Sequence, residues 1–194
     1  VGVSRGINIA LSNNMLLEKI EVDRMGGTGF HIAHSNDVTY LNCDSHHNAD
    51  PYSTTSPPYG GADGFAGGGG ETSTRTVYNG CRAWWNSDDG FDFFGTDGVR
   101  TLINCWSFWN GYIAGTFNTA GNGEGYKLGP TATNQSTVIT KFLNNCIAFK
   151  NRAHGFSQNV GQSRYQIYNC TSYNNGIHGY WWGSYAGITQ DFKN

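Results

Sequence analysis

The fold of this chain is decided by the stretch Cys81-Arg82-Ala83-Trp84-Trp85-Asn86-Ser87-Asp88-Asp89-Gly90-Phe91, because its template recurs along the sequence. An asparagine follows every cysteine by five residues, and a glycine with an aromatic neighbour closes every unit. The cysteine–asparagine pairs are Cys43/Asn48, Cys81/Asn86, Cys105/Asn110, Cys146/Asn151 and Cys170/Asn175, and the closing pairs are Gly64-Phe65, Gly90-Phe91, Gly125-Tyr126, Gly155-Phe156 and Gly179-Tyr180. A residue template that repeats in this way indicates a solenoid.

The repeat has a step of a little over 20 residues and contains strand signals. Steps of 23, 24 and 26 residues separate Gly6 from Gly29, Gly155 from Gly179, and Gly64 from Gly90. Alternating segments such as Tyr165–Cys170 indicate short strands between Asn and Gly turns. We therefore predict an all-β fold, a right-handed single-stranded parallel β-helix of about seven coils, in one domain spanning 1–194. A β-sandwich is the main rival, but it would not repeat one template at one step.

Composition narrows the function classes. The 194 residues include 12 Lys and Arg against 14 Asp and Glu, a formal charge of −2, which gives no basic surface for nucleic acid. The sequence contains no run of 18 apolar residues, so it does not predict a membrane span. We expect a monomer without nucleic-acid or membrane partners. The N-terminal Val1-Gly2-Val3 has no signal-peptide features, so the chain can be a fragment of a longer protein.

The recurring spacing of the template also predicts the roles of its cysteines and asparagines. The five cysteines form no CxxC or Cys/His metal spacing. Stacking of coils about 4.8 Å apart would turn them into a buried ladder of free thiols, and the asparagines into a ladder of stacked amides. We expect both ladders to be structural.

Aligning the coils on the closing glycine brings acidic residues from separate coils together. The residue before that glycine is, in successive coils, Thr28, Asp63, Asp89, Glu124, His154 and His178. The second residue after it is His31, Ala66, Asp92, Lys127, Ser157 and Trp181. Stacked carboxylates repel one another unless a cation lies between them, and Ca²⁺ prefers oxygen ligands. We predict a Ca²⁺ site at Asp63, Asp88, Asp89 and Asp92; the alternative is acidic residues that only solvate turns.

Lys127 lies one coil after Asp92, and the two insertions Ala49–Asp63 and Gly111–Glu124 would wall a cleft around it. Beside a cation its pKa would fall, so it could act as a base. This arrangement suits removal of the C5 proton of a uronic-acid polymer, followed by β-elimination. Hydrolysis by Asp88 and Asp89 is an alternative, as is a Ca²⁺-stabilised module that binds polysaccharide without cleaving it.

Three further side chains are candidates for substrate contact. Arg82 and Arg152 could bind uronate carboxylates with two hydrogen bonds each, and His154 shares the column of the acidic residues. For the arginines, salt bridges between coils are the alternative. His46 and His47 have no third metal-ligand partner nearby in the sequence, so polar loop contacts are expected for them.

The chain resembles polysaccharide lyase family 9 in the order and spacing of its motifs over roughly residues 20–180. These motifs are Asn48–Tyr52, Ala62–Ala66, Cys81–Trp84, Asn86–Asp92, Gly125–Gly129 and Asn151–Phe156. The resemblance implies a secreted, Ca²⁺-dependent pectate lyase that acts on pectate (polygalacturonate), an anionic polysaccharide. It implies Asp63, Asp88, Asp89 and Asp92 as calcium ligands and Lys127 as the catalytic base. One departure is Gly67–Gly70, where the family pattern has a small residue and a lysine.

Overall fold

A computed structural model of the chain describes residues 4–67, 75–96, 98–129, 139–159, 163–183 and 190–194. The described residues form seven coils, with three short strands in each complete coil. The first four coils contain β1 (Ile7–Ala10), β2 (Asn13–Glu18), β3 (Glu21–Asp23), β4 (Phe30–Ala33), β5 (Asn36–Leu41), β6 (Asp44–His46), β7 (Phe65–Gly67), β8 (Arg75–Asn79), β9 (Arg82–Trp84), β10 (Phe91–Asp92), β11 (Val99–Ile103) and β12 (Trp106–Phe108).

The last three coils continue the same order. They contain β13 (Tyr126–Lys127), β14 (Ile139–Asn144), β15 (Ile147–Phe149), β16 (Phe156–Ser157), β17 (Ser163–Tyr168), β18 (Thr171–Tyr173), β19 (Tyr180–Trp181) and β20 (Asp191–Lys193). Each strand pairs in parallel with the strand at the same place in the next coil, giving sheets of seven, seven and six strands. The all-β parallel β-helix and its seven coils are therefore confirmed. Among the described residues no helix has the length and apolar character needed to cross a membrane.

The interior is built from columns of identical or similar side chains. The aromatic residues that follow the closing glycines are in register along the first sheet, which begins with β1. Their rings stack 4.7–4.9 Å apart and nearly parallel, from Phe30 through Phe65, Phe91, Tyr126 and Phe156 to Tyr180. Such stacks add to the free energy gained by burying the rings. The five cysteines are free and buried beside them, as predicted.

The predicted asparagine ladder is also present. The side-chain amide of Asn86 donates to Asn110 Oδ1 at 3.0 Å, and that of Asn110 donates to Asn151 Oδ1 at 3.0 Å. The adjoining glycine is required by close packing, because a Cβ at Gly90 would lie 2.0 Å from Ser107 Oγ and 2.8 Å from Asn110 Nδ2. The Cys-Asn-Gly template is therefore the sequence signature of a turn that has the same structure in successive coils.

The two insertions precede strands of the first sheet and touch each other. The first lies between β6 and β7, and the second between β12 and β13. Gly121 of the second donates its backbone N–H to the carbonyl of Pro58 in the first, at 2.8 Å. Both insertions are therefore held on the side of the solenoid where the acidic residues collect.

Candidate functional site

The acidic residues of three coils meet at the first sheet, as the column alignment predicts. Backbone hydrogen bonds place Asp63 directly under Asp89, because Gly64 N–H donates to the Asp89 carbonyl at 3.0 Å. Asp92 in β10 is the register partner of Lys127 in β13. Alternation along β10 buries Phe91 and turns Asp92 outward. The fold thus brings together side chains that lie up to 64 positions apart in sequence.

Three carboxylates of this group are close enough to share one cation. Asp63, Asp89 and Asp92 each offer an oxygen, and these oxygens all lie within 4.8 Å of one another. Burial raises the pKa of Asp63 and of Asp89, and the neighbouring carboxylates raise the pKa of Asp63 further. Hard oxygens crowded at this spacing, with excess negative charge withdrawn from water, fit the ligand preference of Ca²⁺.

Lys127 reaches into the same group and supplies its positive charge in this structure. Its Nζ lies 3.0 Å from Asp89 Oδ2 and 3.1 Å from Asp92 Oδ2, and the residue is 8% exposed. Burial works to lower the pKa of Lys127, but the carboxylates, Asp89 first, outweigh it and raise the pKa above its ordinary value. The lowered pKa of Lys127 that the sequence predicts is therefore not found here; it requires a cation that binds these carboxylates in place of the ammonium. Phe94, which sequence reasoning did not single out, faces the ammonium with its ring 5.4 Å away.

Asp88 is placed differently from the other three predicted calcium ligands. Its Oδ2 accepts the backbone N–H of Gly61, and its Oδ1 accepts that of Asn122, each at 2.5 Å. The carboxylate therefore joins the two insertions, and burial raises its pKa. Asp88 is not one of the three residues whose carboxylate oxygens lie within 4.8 Å of one another. Its role as a calcium ligand stays a prediction, whereas its hydrogen bonds to both insertions are observed.

Glu124 extends the acidic column by one coil, as expected, but it does not pair with Lys127. Its carboxylate is hydrogen-bonded to the hydroxyl of Ser157, and its backbone N–H donates to Asp89 Oδ1 at 2.7 Å. Burial raises the pKa of Glu124 to about 7. Glu124 and Ser157 stand in different columns of the repeat, and their bond runs diagonally between these columns, so alignment of the coils does not predict it.

Arg82 lies on β9, in the third sheet, rather than on the first sheet with the acidic group. Its Nε donates to Asp44 Oδ1 at 2.7 Å, which is the salt bridge between coils that was the alternative for this residue. Trp84 and Trp106 belong to this third sheet as well. Substrate contact by Arg82 stays a prediction.

Arg152 and His154 lie beside the second insertion and the acidic column, respectively. Arg152 donates to the Gly121 carbonyl at 2.7 Å, and so it braces that insertion. The His154 ring stacks on Trp181, with ring centres 5.4 Å apart, and burial lowers its pKa. His154 Nδ1 is buried without a hydrogen-bond partner among the described residues. Substrate contact by either residue stays a prediction, and residues 68–70 of the glycine run lie outside the described residues.

The chain is similar to proteins named as pectate lyases. A family model described as "Pel9A-like, right handed beta helix region" matches residues 1–191. Pectate lyase L of Dickeya chrysanthemi is 39% identical over 147 residues, which make up 75% of this chain and 32% of that protein. Pectate lyase L of Paenibacillus polymyxa (strain SC2) is 32% identical over an alignment of 188 residues, which covers 88% of this chain and 39% of that protein.

Two solved structures are similar over most of the chain. The crystal structure of pectate lyase Pel9A matches with a TM-score of 0.76 and 30% identity, over 96% of this chain and 48% of that one. A rhamnogalacturonan lyase matches with a TM-score of 0.73 and 32% identity, over 87% of this chain and 44% of that one. The chain thus spans about a third of the length of the curated relatives named above.

Proposed function

Because the chain belongs to the Pel9A-like family of right-handed β-helices, we propose that it carries the site of a Ca²⁺-dependent pectate lyase. The right-handed fold and the resemblance to polysaccharide lyase family 9 are confirmed by the same comparisons. The activity, the calcium and the residue roles are the proposal. The observation that carries it is the buried contact of Lys127 with Asp89 and Asp92.

The residues that would hold Ca²⁺ are Asp63, Asp89 and Asp92, with Asp88 beside them. The oxygens of the first three lie within 4.8 Å of one another, which supports this assignment. The rise in the pKa of Asp63 and of Asp89 that burial causes supports it as well. When bound, Ca²⁺ supplies positive charge that binds the uronate carboxylate of the substrate and makes its C5 proton more acidic. The insertions joined by Asp88 hold the polymer over this position.

Lys127 would act as the base. With the carboxylates engaged by the cation, its ammonium loses the interactions that now raise the pKa, and the amine becomes available. Nζ then takes the proton from C5, the electron pair of that C–H bond forms the C4–C5 double bond, and the C4–O bond breaks. The glycosidic oxygen leaves with the released chain and takes up a proton from water. Phe94 and the burial of Lys127 keep water away from the amine.

The positive charge of the bound cation also indicates the class of substrate. A cation at the acidic group favours a polymer with a carboxylate on each sugar, such as pectate, and polymers of that kind lie outside the cell. We therefore place the protein among secreted enzymes. Rhamnogalacturonan is the comparison substrate, because one similar solved structure is named a rhamnogalacturonan lyase.

The proposal is tested by incubating the protein with polygalacturonate and following the ultraviolet absorbance of the unsaturated product. We expect absorbance to rise with Ca²⁺ and to stop when a chelator is added. Release of reducing ends without absorbance would instead indicate hydrolysis by a carboxylate pair. Binding of polygalacturonate without either signal would indicate a module that binds and does not cleave.

A further inference from the structure

A second group of metal-ligand side chains lies on the third sheet, away from the acidic residues of the first sheet. Asp23 ends β3 and His46 ends β6, and the two are register partners in neighbouring strands. His47 follows directly. The third partner that His46 and His47 lack in the sequence is therefore supplied by Asp23, from the preceding coil.

The three ligand atoms form a triangle of the size a transition metal requires. Nδ1 of His46 lies 2.7 Å from Nδ1 of His47, and Asp23 Oδ1 lies 3.1 and 3.6 Å from those two nitrogens. Metal bonds of about 2.0–2.1 Å place neighbouring ligands about 2.9 Å apart at right angles and about 3.3 Å apart at tetrahedral angles. The observed sides bracket those values.

The surroundings orient these atoms toward a common position. His46 donates through Nε2 to Glu21 Oε1 at 2.7 Å, which makes Nδ1 its ligand nitrogen; in this structure Nδ1 is hydrogen-bonded to His47 Nδ1. The same ring stacks on Trp84, with centres 4.1 Å apart, so it cannot rotate freely. A carboxylate that accepts from the far nitrogen is the usual partner of a metal-bound histidine.

Asp23 Oδ1 is buried and has no hydrogen-bond partner among the described residues. The other oxygen, Oδ2, is paired with Arg24. A buried carboxylate oxygen that lies 3.1 and 3.6 Å from two imidazole nitrogens without a hydrogen bond is costly unless it gains a ligand or a charged partner.

We propose that Asp23, His46 and His47 bind a divalent transition metal such as Zn²⁺, joining the first and second coils. Two imidazoles favour Zn²⁺, Cu²⁺ or Ni²⁺ over Ca²⁺, so this site and the acidic group of the first sheet select different ions. Three protein ligands leave a position for water. Asp23 and His47 keep 28% and 26% of their side chains exposed, so the metal can enter from solvent.

Calorimetric titration with Zn²⁺ tests the proposal, using full-length protein without a histidine tag and with excess Ca²⁺ present to occupy the acidic group. We expect one Zn²⁺ per chain and a higher Tm. The variant His47→Asn should bind at least about tenfold more weakly. His34→Asn is the matched control, because His34 shares the positive φ of His47, 49° against 55°, and asparagine tolerates it.

Unchanged Zn²⁺ affinity in His34→Asn together with the loss in His47→Asn would support the site. Absence of Zn²⁺ binding to the wild type, or equal affinity in His47→Asn, would overturn it. Where His47→Asn fails to fold by circular dichroism, Asp23→Asn takes its place with the same criteria. The result does not depend on lyase activity, so it stands apart from the proposed function.

Discussion

At the scale of single residues, Asp88 and Asp92 look alike in sequence but make different contacts. Both oxygens of Asp88 accept backbone N–H groups, from Gly61 and Asn122. Asp92 accepts one backbone N–H, from Phe94 at 2.6 Å, and presents its other oxygen to Lys127. The first carboxylate therefore secures loops, whereas the second faces the site.

This difference predicts losses of stability of different size for two matched substitutions. Asp88→Asn places an NH₂ against one of the two backbone donors and should cost about 1–3 kcal/mol of unfolding free energy in Ca²⁺-free buffer. Asp92→Asn keeps an oxygen for Phe94 and should cost less than about 1 kcal/mol under the same conditions. Denaturant unfolding in a chelator measures both. Equal losses for the two variants would contradict the assignment.

His31 predicts a pH dependence of stability. Burial, with a contribution from the charge of Arg5, lowers its pKa from 6.5 to about 4. The unfolded chain therefore takes up the proton first, so stability is undiminished above about pH 6.5 and falls as the pH drops toward 4. The shift corresponds to about 3 kcal/mol. Unfolding of wild type and His31→Gln across this range should show a shallower decline in the variant; parallel curves would contradict the prediction.

At the scale of the repeated turn, the asparagine ladder makes a prediction of its own. Asn110 is fully buried, and its amide donates to the Ala83 carbonyl at 3.2 Å and to Asn151. Asn110→Ala leaves several buried groups without partners and should cost about 2–4 kcal/mol. Asn144→Ala, at an exposed position on β14, is the matched control and should cost less than about 0.5 kcal/mol. Thermal unfolding compares the two, and similar losses would contradict the ladder.

The elements were predictable because each coil repeats the same side chains. The cysteine predicts a buried thiol, the asparagine five residues later predicts a stacked amide, and the closing Gly-aromatic pair predicts a ring that points into the core. The structure contains all three. Contacts that cross between columns were not predictable. The bond of Ser157 to Glu124 and that of Asp88 to Asn122 join positions that no repeat relates.

At the scale of the whole molecule, the coils stack on their neighbours only, so stability should vary along the solenoid. The central aromatic rings of Phe65, Phe91 and Tyr126 are fully buried, whereas Tyr173 and Phe192 in the last two coils are 63% and 46% exposed. Amides of β10 and β11 should therefore exchange with deuterium more slowly than those of β19 and β20. Uniform protection along the chain would contradict this gradient.

The meeting of the acidic residues is a property of the whole molecule that alignment of the repeat could predict. Asp63 and Asp89 are distant in sequence but occupy one column of the repeat, and Asp92 and Lys127 occupy a neighbouring column. The group formed by Asp23, His46 and His47 on the third sheet could not be predicted from this alignment. Asp23 belongs to a coil that lacks the Cys-Asn template, so no column joined it to His46 before the strand register was known.

The central claim is that Lys127 removes the substrate proton at a calcium site. The most direct measurement is the rate of unsaturated product formation from polygalacturonate by Lys127→Ala, at saturating Ca²⁺ and with Ca²⁺ affinity measured in parallel. Loss of a general base should lower kcat by at least about 100-fold while Ca²⁺ still binds. A Lys127→Ala variant that keeps wild-type kcat would contradict the account.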